Sequence, residues 1–337
     1  MTIYIHSIKH ISAQKPLSDE WFYKPVMYNK PDVRSIDADY KQFFTPIVTR
    51  RLGKILKRAL LVSKKALEES GISQPDAIIA GTGSGCTEST EIFLNKLVRD
   101  GEELLTPTHF MQSTHNTISS LVAIEYKCLA YNVTYSHKGI SFECALQDAF
   151  IQLKSGKINS ALVGAHDELT PSHFTMLKKS GYLGKPNQTF AGETSVAMMI
   201  STEKSKHALC KIVAVEKVYG EGARALRPAF KLTDNDYIMT GANGDKKNDE
   251  MYYDHCSKWF PNVPLLQYKN IFGESYTAPA LGVYAATVCL QKVKIPDFLF
   301  IDKNDALKIL KPKSRILCYN QFENKHHTFI LLANTGK

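Results

Sequence analysis

Long apolar runs are missing from this sequence of 337 residues. A helix that crosses a membrane needs about 18 or more consecutive apolar residues, and no window of the chain comes close to that length. The opening residues, MTIYIHSIKH, also lack the charged and then apolar layout of a signal peptide. We therefore expect a cytoplasmic protein without a membrane span.

Cysteines at the spacing of a zinc site or a disulfide framework are missing as well. The seven cysteines are odd in number, scattered, and never arranged as Cys-x-x-Cys. We therefore expect reduced, mostly buried thiols and no bound metal. The hydrophobic share of 44% and the charged share of 22% are those of a globular protein with a sizeable core.

Acidic residues are in deficit. The chain has 42 Lys and Arg against 33 Asp and Glu, a net charge of +9, which favours an acidic partner such as nucleic acid, an anionic surface or an acidic carrier protein. No basic run is interleaved with aromatic residues, which argues against nucleic acid. Much of the positive charge lies on one predicted amphipathic helix: Arg50, Arg51, Lys54, Lys57, Arg58, Lys64 and Lys65.

Segments with strand and helix character alternate along the chain, as in an α/β protein. The predicted strands are 3–11, 77–80, 129–135, 160–164, 195–201, 210–218, 236–240, 265–269, 314–319 and 327–333. The predicted helices are about 50–70, 89–99, 114–127, 141–154 and 277–291. Because the alternation restarts near residue 208, we expect two similar β-α-β halves, residues 1–205 and 206–337.

The glycine-rich segment Gly81-Thr-Gly-Ser-Gly85 follows a predicted strand, as phosphate-binding loops do. However, no Lys-Ser/Thr pair follows it, and the third glycine of a dinucleotide fingerprint is absent. No acidic residue ends a second strand at the distance that a dinucleotide site requires. We interpret the segment as a tight strand-to-helix turn and expect no cofactor.

A strand-turn-helix elbow over residues 131–146 is the most informative segment. The predicted strand ends at Tyr135, the turn Ser136-His-Lys-Gly139 reverses the chain, and a helix begins at once. Such elbows present one side chain at a helix N-terminus, where free N–H groups stabilise an anion, so they commonly hold nucleophiles. His137 lies at the tip, and an ordinary turn histidine fits the same spacing.

The order of the segments resembles a β-ketoacyl synthase of the thiolase fold. The resembling landmarks are the helix end Ala66-Leu-Glu-Glu-Ser-Gly71, the glycine loop at 78–85, the elbow, Ala161-Leu-Val-Gly-Ala-His-Asp-Glu168 and Phe190-Ala-Gly-Glu-Thr-Ser-Val-Ala197. The resemblance covers essentially the whole chain and is strongest over 50–200. It implies an α/β thiolase fold, in which two similar βαβ halves have their sheets sandwiched between helix layers.

The three positions that carry catalysis in this family are all different here. The elbow cysteine of working ketosynthases is replaced by His137. The first catalytic histidine is replaced by Asn243, in Thr-Gly-Ala-Asn-Gly-Asp. The second is replaced by Glu274, in Lys-Asn-Ile-Phe-Gly-Glu, of which the first residue, Lys269, is the lysine that the family keeps. The resemblance therefore implies a chain without catalytic residues.

The chemistry of these replacements agrees with a loss of activity. Imidazole forms only a labile acyl adduct, and a carboxylate at Glu274 would repel the enolate that forms on decarboxylation. Of two substitute nucleophiles, Ser136 should point away from the tip and Cys144 should lie in the helix core. The family's glycine-rich tail loop is also replaced, by residues 320–327, which without glycines cannot follow the same backbone path.

The elbow at 135–143 and the tail loop are most similar to chain-length-factor subunits of aryl-polyene and flexirubin-type pigment pathways. Such subunits form a heterodimer with a catalytic ketosynthase and shape the tunnel for the growing polyene or polyketide on acyl carrier protein. The resemblance implies that the segment 106–130 forms the dimer. Its apolar positions would then face the partner or the tunnel: Ile118, Leu121, Val122 and Ile124.

Two alternatives compete with a silent subunit. The chain could be an active β-ketoacyl synthase with a relocated nucleophile, or a malonyl-carrier decarboxylase in which His137 binds the thioester carbonyl. It could instead have an unrelated binding role, for example on nucleic acid. Acyl transfer or carbon dioxide release would identify the enzyme, and tight, salt-steep retention of DNA would identify the nucleic-acid protein.

Overall fold

The computed structural model describes residues 1–102, 105–220, 228–302 and 308–335. In these ranges the chain forms a mixed ten-stranded sheet, a two-stranded ribbon and helices on both faces of the sheet. The strands are β1 (Ile3–Ile11), β2 (Ala77–Gly81), β3 (Tyr131–Tyr135), β4 (Ser160–Asp167), β5 (Thr194–Ser201), β6 (Cys210–Tyr219), β7 (Tyr237–Thr240), β8 (Leu265–Gln267), β9 (Lys294–Ile295), β10 (Lys308–Ile309), β11 (Arg315–Phe322) and β12 (His326–Asn334). The helices are α1 (Pro46–Thr49), α2 (Lys54–Ser70), α3 (Thr87–Asp100), α4 (Pro107–Ser113), α5 (Thr117–Glu125), α6 (Ser141–Lys154), α7 (Pro171–Lys179), α8 (Lys246–Trp259), α9 (Lys269–Phe272) and α10 (Pro279–Lys292).

The strand order of the large sheet repeats one topology twice. From its centre outward, the first half reads β1-β5-β4-β2-β3 and the second reads β6-β12-β11-β7-β8. In both halves the three outer strands are parallel to one another and the two inner strands pair antiparallel. The halves join through the antiparallel pair β1 and β6. We propose that they divide between Ser201 and Cys210, near the expected boundary.

Two helices, α6 and α10, lie between the halves of the sheet. On α6 the apolar residues Phe142, Leu146 and Leu153 share one face because they lie on one side of a 3.6-residue period. They pack in one core with α10 and with strand residues of both halves, for example Val163 and Ile316. Helices α2 and α5 cover the outer face of the first half, and α8 covers that of the second. The predicted layering of helices and sheets is therefore confirmed.

Several helix boundaries differ from the predictions. The helix expected over 50–70 begins only at Lys54, because Gly53 has an extended backbone and residues 46–49 form the separate helix α1. The helix expected over 114–127 covers only Thr117–Glu125, and α4, α7 and α8 are absent from the predictions. All seven cysteines are free and buried, as expected. Among the described residues, no helix is both long enough and apolar enough to cross a membrane.

Candidate functional site

The predicted elbow is present between β3 and α6. The backbone N–H of His137 donates to Ser141 Oγ at 2.8 Å, and the Ser141 hydroxyl donates to the Lys138 carbonyl at 2.8 Å. Lys138 has a positive φ of 48°, which turns the chain sharply into the helix. The imidazole of His137 is exposed and lies near the ring of Tyr135, with 6.0 Å between the ring centroids.

Asn243, Lys269 and Glu274 come together in a buried network. Glu274 Oε2 accepts from the Asn243 amide at 2.7 Å and from the Lys269 ammonium at 2.7 Å. All three side chains are at least nine-tenths buried. The carboxylate is thus paired with the ammonium and also accepts from the amide, so its charge is compensated inside the protein.

The start of helix α8 fixes the position of Asn243. The Asp249 carboxylate accepts from the backbone N–H groups of Asn243 and Gly244, both at 2.8 Å. Asn243 Oδ1 accepts from Asn248 Nδ2 at 3.1 Å, and its backbone carbonyl accepts from Thr189 N at 2.6 Å. The Asn243 side chain is therefore held by its neighbours on both its oxygen and its nitrogen.

A cleft of about 510 Å³ opens above this network. Asn243, Lys269 and Glu274 contribute to its lining, and so does Gly139 of the elbow, whereas His137 does not. The structure thus brings Asn243 and Glu274 to one cleft and leaves His137 on the exposed tip of the elbow. Charged side chains of both signs, among them Lys185 and Glu323, also line the cleft.

Three aromatic side chains occupy the wall of the cleft beside the elbow. Tyr182 stacks on Tyr276 with ring centroids 4.7 Å apart, and Phe322 contacts both rings edge-on at 6.4 and 6.2 Å. Tyr276 packs directly on Gly83 and Phe322 on Gly139, where an added Cβ would come within 2.2 and 2.3 Å of the respective side chains. The space against the elbow is therefore filled by the chain's own side chains.

The N–H groups of the glycine-rich loop after β2 bind a carboxylate of the same chain. Asp167 Oδ1 accepts from the backbone N–H groups of Gly83 at 2.9 Å and Ser84 at 3.0 Å and from the Thr82 hydroxyl at 3.1 Å. The Glu168 carboxylate accepts from Glu88 N at the start of α3. Because these donors already serve carboxylates of the same chain, the loop is the tight turn that the sequence predicts.

Neither substitute nucleophile is well placed for acyl transfer. Ser136 is exposed in the turn, and Cys144 is buried on α6, where Lys217 Nζ donates to its sulfur at 3.1 Å. Burial raises the pKa of the Cys144 thiol, and the nearby Lys217 ammonium offsets only part of that rise. A thiol with a raised pKa provides little of the thiolate that attacks a thioester.

The tail segment forms a hairpin instead of a glycine-rich loop. Strands β11 and β12 pair antiparallel and are joined through Glu323 and Asn324, both at positive φ. Asn320 on β11 donates to the Gly139 carbonyl at 3.0 Å and to Glu143 Oε1 at 2.7 Å. The hairpin is thereby fastened to the elbow and to the helix that follows it.

The apolar residues of the segment 106–130 divide into two groups. Ile118 and Val122 are buried in the chain's own core, below helix α2, and Leu121 is partly buried beside them. Ile124 is 73% exposed. Buried and exposed apolar residues both occur on α5 because one face of the helix packs on α2 and the other faces solvent.

Sequence reasoning missed the residues that support the site. No sequence motif marks Tyr182 and Tyr276, because their role depends on contacts among three segments that are far apart in the sequence. Asp249 and Asn248 belong to the helix α8, which the predictions lack. Glu143 does leave a signal, because a carboxylate next to Phe142 on the apolar face of α6 must find hydrogen-bond donors in the core.

The comparison with known families agrees with the fold. The family model described as "Beta-ketoacyl synthase, N-terminal domain" matches residues 24–228. The chain therefore belongs to the β-ketoacyl synthase family. No curated protein matches the sequence significantly.

Solved structures show the same fold at low sequence identity. "The ishigamide ketosynthase/chain length factor" superposes with a TM-score of 0.81 at 14% identity, covering 99% of both chains. The complex of the ketosynthase ApeO with its chain length factor ApeC from Xenorhabdus doucetiae gives 0.79 at 14%, covering 99% of this chain and 98% of the other. AntDE:AntF, a type II polyketide acyl-carrier protein in complex with its ketosynthase bound to the hexaketide, gives 0.77 at 10%, covering 98% and 99%.

Proposed function

We propose that this chain is a catalytically silent, chain-length-factor-type subunit of the aryl-polyene or flexirubin kind. It pairs with a catalytic ketosynthase and shapes the tunnel for the acyl chain that grows on acyl carrier protein. One observation carries the proposal. At the positions that we match to the family's three catalytic residues the chain has His137, Asn243 and Glu274, and the last two are held with Lys269 in a buried hydrogen-bonded network.

The buried network of Asn243, Lys269 and Glu274 supports a lack of catalytic activity on chemical grounds. A ketosynthase site has to stabilise the negative charge that develops on a thioester oxygen, which requires hydrogen-bond donors aimed at that oxygen. Here the Asn243 amide and the Lys269 ammonium each direct one N–H group to Glu274 and not to the cleft. The carboxylate adds a negative charge where the enolate would form. Tyr276 and Phe322 in addition fill the space against the elbow.

An exposed apolar surface supports the pairing with a ketosynthase. Strand β3 is an edge of the large sheet and, within the described residues, pairs only with β2. Helix α5 packs beside β3, α4 contacts α5, and α3 contacts α4. These helices and the turn before β3 carry exposed apolar side chains: Leu94, Val98, Phe110, Met111, Ile124 and Leu129. Large exposed apolar surfaces of this kind mark protein–protein contacts. We assign this edge surface, as defined by these residues, to the partner ketosynthase.

A basic surface at the start of α2 supports contact with an acidic carrier protein. Arg50, Arg51 and Lys54 are exposed at the beginning of the helix, where cations are unfavourable next to the helix dipole. Farther along, Arg58 is buried against Asp37 at 2.6 Å. Still farther along, Lys64 and Lys65 share one acid, Glu68. The unmatched positive charge is therefore concentrated at the start of the helix.

The deciding experiment is the intact mass of the protein, alone and with a candidate ketosynthase, after incubation with malonyl- and acyl-loaded carrier protein. We expect no acyl adduct and no decarboxylated carrier with this chain alone. We expect an acylated partner that co-elutes with it. An adduct on this chain, or carbon dioxide released by it alone, would support the active-enzyme alternative, and peptide mapping would then begin at Ser136, His137 and Cys144.

A further inference from the structure

Glu143 and Tyr268 each have one polar atom in the core without a partner. The exposed fraction is 0% for Glu143 and 2% for Tyr268. Glu143 Oε1 accepts from Asn320 Nδ2 at 2.7 Å and from Thr328 Oγ1 at 3.1 Å. By contrast, neither Glu143 Oε2 nor the Tyr268 hydroxyl has a hydrogen-bond partner among the residues that the structure describes. Because buried polar groups are nearly always bonded to protein or to ordered water, both atoms require a partner.

The two residues line the same small cavity. It lies between the helices α6 and α10 and the strands β7, β11 and β12, and Glu143 and Tyr268 both contribute to its wall. The cavity measures about 10 Å³. One water molecule needs about 10–15 Å³, so the space is that of a single water. A larger ligand would not fit.

The other polar side chains that line the cavity are already engaged. Asn320 Nδ2 donates to the Gly139 carbonyl at 3.0 Å as well as to Glu143 Oε1. The single proton of the Thr328 hydroxyl lies between Glu143 Oε1 at 3.1 Å and the Asn320 carbonyl at 3.4 Å. The Tyr319 hydroxyl is bonded to two histidine rings, at 2.8 and 2.9 Å. The missing hydrogen bonds therefore call for a molecule from outside the chain.

A water molecule suits this cavity better than a metal cation does. Cations such as Ca²⁺ and Mg²⁺ take about six or more oxygen ligands. Here Met239, Pro279 and Ile330 make much of the wall apolar. A buried water needs only about two to four polar partners. It also serves both protonation states of Glu143, since it donates to a carboxylate and accepts from a carboxylic acid.

We propose that this cavity binds one internal water molecule, which is hydrogen-bonded to Glu143 Oε2 and to the Tyr268 hydroxyl. The water joins the helix that follows the elbow to the residue that precedes Lys269 at the start of α9. It thus connects the elbow with the segment that bears the Lys269–Glu274 pair. The inference does not depend on the proposed function, because it rests on burial, hydrogen bonds and the size of the cavity.

The sign of a stability change tests for the water. In Tyr268→Phe, loss of a hydroxyl that is bonded to a water should raise the equilibrium constant of unfolding about fivefold to tenfold. Loss of a hydroxyl that is buried without any partner should instead lower that constant, because folding no longer buries an unpaired polar group. Urea denaturation distinguishes the two results. A constant that is unchanged or lowered in Tyr268→Phe would overturn the proposal.

Tyr252→Phe is the matched control. Tyr252 is also fully buried, but its hydroxyl has protein partners: it donates to Asn320 Oδ1 at 3.1 Å and accepts from Gln321 N at 2.9 Å. Its variant should therefore raise the equilibrium constant of unfolding whether or not the cavity contains water. The control gives the size of the effect that loss of a bonded hydroxyl has in this core, and Tyr268→Phe should change the constant in the same direction.

A high-resolution crystal structure of the unsubstituted protein keeps the proposal testable if Tyr268→Phe does not fold. We expect one ordered oxygen at about 2.5–3.0 Å from both Glu143 Oε2 and the Tyr268 hydroxyl. An empty cavity or a direct hydrogen bond between the two residues would refute the water. A metal ion with about six oxygen ligands at this place would refute it as well.

Discussion

At the scale of single residues, the buried pair Lys269 and Glu274 provides the sharpest prediction. Lys269→Met leaves the Glu274 carboxylate buried without a cation, which should lower the free energy of unfolding by about 3–5 kcal/mol. The double variant Lys269→Met/Glu274→Met removes both charges and should recover most of that loss. Urea denaturation measures both. A loss of under about 1 kcal/mol in the single variant would mean that water reaches the pair and solvates the remaining charge.

The identities of these residues follow from the sequence, but their arrangement does not. The motifs around Asn243, Lys269 and Glu274 select all three as matches to the family's site. That the Asn243 amide and the Lys269 ammonium converge on one carboxylate oxygen depends on how the loops after β7 and β8 pack. Tyr182 and Tyr276 fill the adjoining space without any sequence pattern, because contacts between distant segments impose no spacing on the chain.

At the scale of helices, α2 and α10 end in the same left-handed conformation with different residues. Gly71 ends α2 at φ 76°, where an added Cβ would meet no atom within 4 Å, and Val293 ends α10 at φ 53°. A left-handed backbone costs a residue with a Cβ about 1–2 kcal/mol. Val293→Gly should therefore stabilise the protein by about 1 kcal/mol in thermal or urea unfolding.

The reciprocal variant Gly71→Val is the control for this prediction. The variant should lower the free energy of unfolding by about 1–2 kcal/mol through backbone strain alone, since an added Cβ has no atom within 4 Å. If both variants were neutral, the two helix ends would have to relax out of the left-handed region in solution.

Helix α8 shows why some elements escape prediction. Its first turn, Lys246-Lys-Asn-Asp-Glu250, is entirely polar, and its buried residues Tyr252, Cys256 and Trp259 lie at a spacing of four and three. The spacing is helical, but it occupies only the second half of the segment. Segments with apolar residues along their whole length, such as α6, are predicted to within a residue or two, because burial of a continuous face dominates their formation.

At the scale of the whole molecule, buried titratable groups predict how stability depends on pH. Burial lowers the pKa of His10 and His327 to about 4 and of His166 to about 3 and raises that of Glu143 and Glu168 to about 7. Below pH 6.5 these histidines bind protons in the unfolded state but not in the folded state, so stability falls as pH falls. Above pH 4.5 the folded glutamates keep protons that the unfolded ones release, so stability falls as pH rises toward 7.

These opposing effects place the maximum of stability near pH 6.5. Between pH 4.5 and 6.5, unfolding adds about three protons at the histidines and releases about two at the glutamates, a net gain of about one proton. The free energy of unfolding therefore rises with pH by about 1.4 kcal/mol per unit in this range. Urea titrations at a series of pH values measure the curve. The double variant Glu143→Gln/Glu168→Gln removes the opposing contribution and should steepen the rise below pH 6.5 to about three protons, or about 4 kcal/mol per pH unit, whereas an unchanged slope would contradict the assignment.

The basic surface at the start of α2 predicts how the molecule meets an acidic carrier protein. Arg50→Glu/Arg51→Glu should weaken carrier binding by about tenfold or more, because like charges then face the carrier across the contact. Lys157→Glu/Lys179→Glu changes the net charge by the same amount at exposed sites elsewhere and is the matched control. Isothermal titration at low salt measures both. Equal weakening by the two variants would mean that only the net charge matters.

The edge surface around β3 predicts which substitution separates this chain from its ketosynthase. Ile124 is a 73% exposed member of this surface, and burying a glutamate there without a partner would cost several kcal/mol. Ile124→Glu should therefore abolish co-elution with the partner while leaving the unfolding curve of the isolated chain unchanged, since the side chain is in solvent there. Ile309, 76% exposed on β10 in the two-stranded ribbon outside the large sheet, is the matched site, and Ile309→Glu should leave the complex intact. A complex that survives Ile124→Glu would move the interface away from this edge and would require the tunnel to be formed by another surface of the molecule.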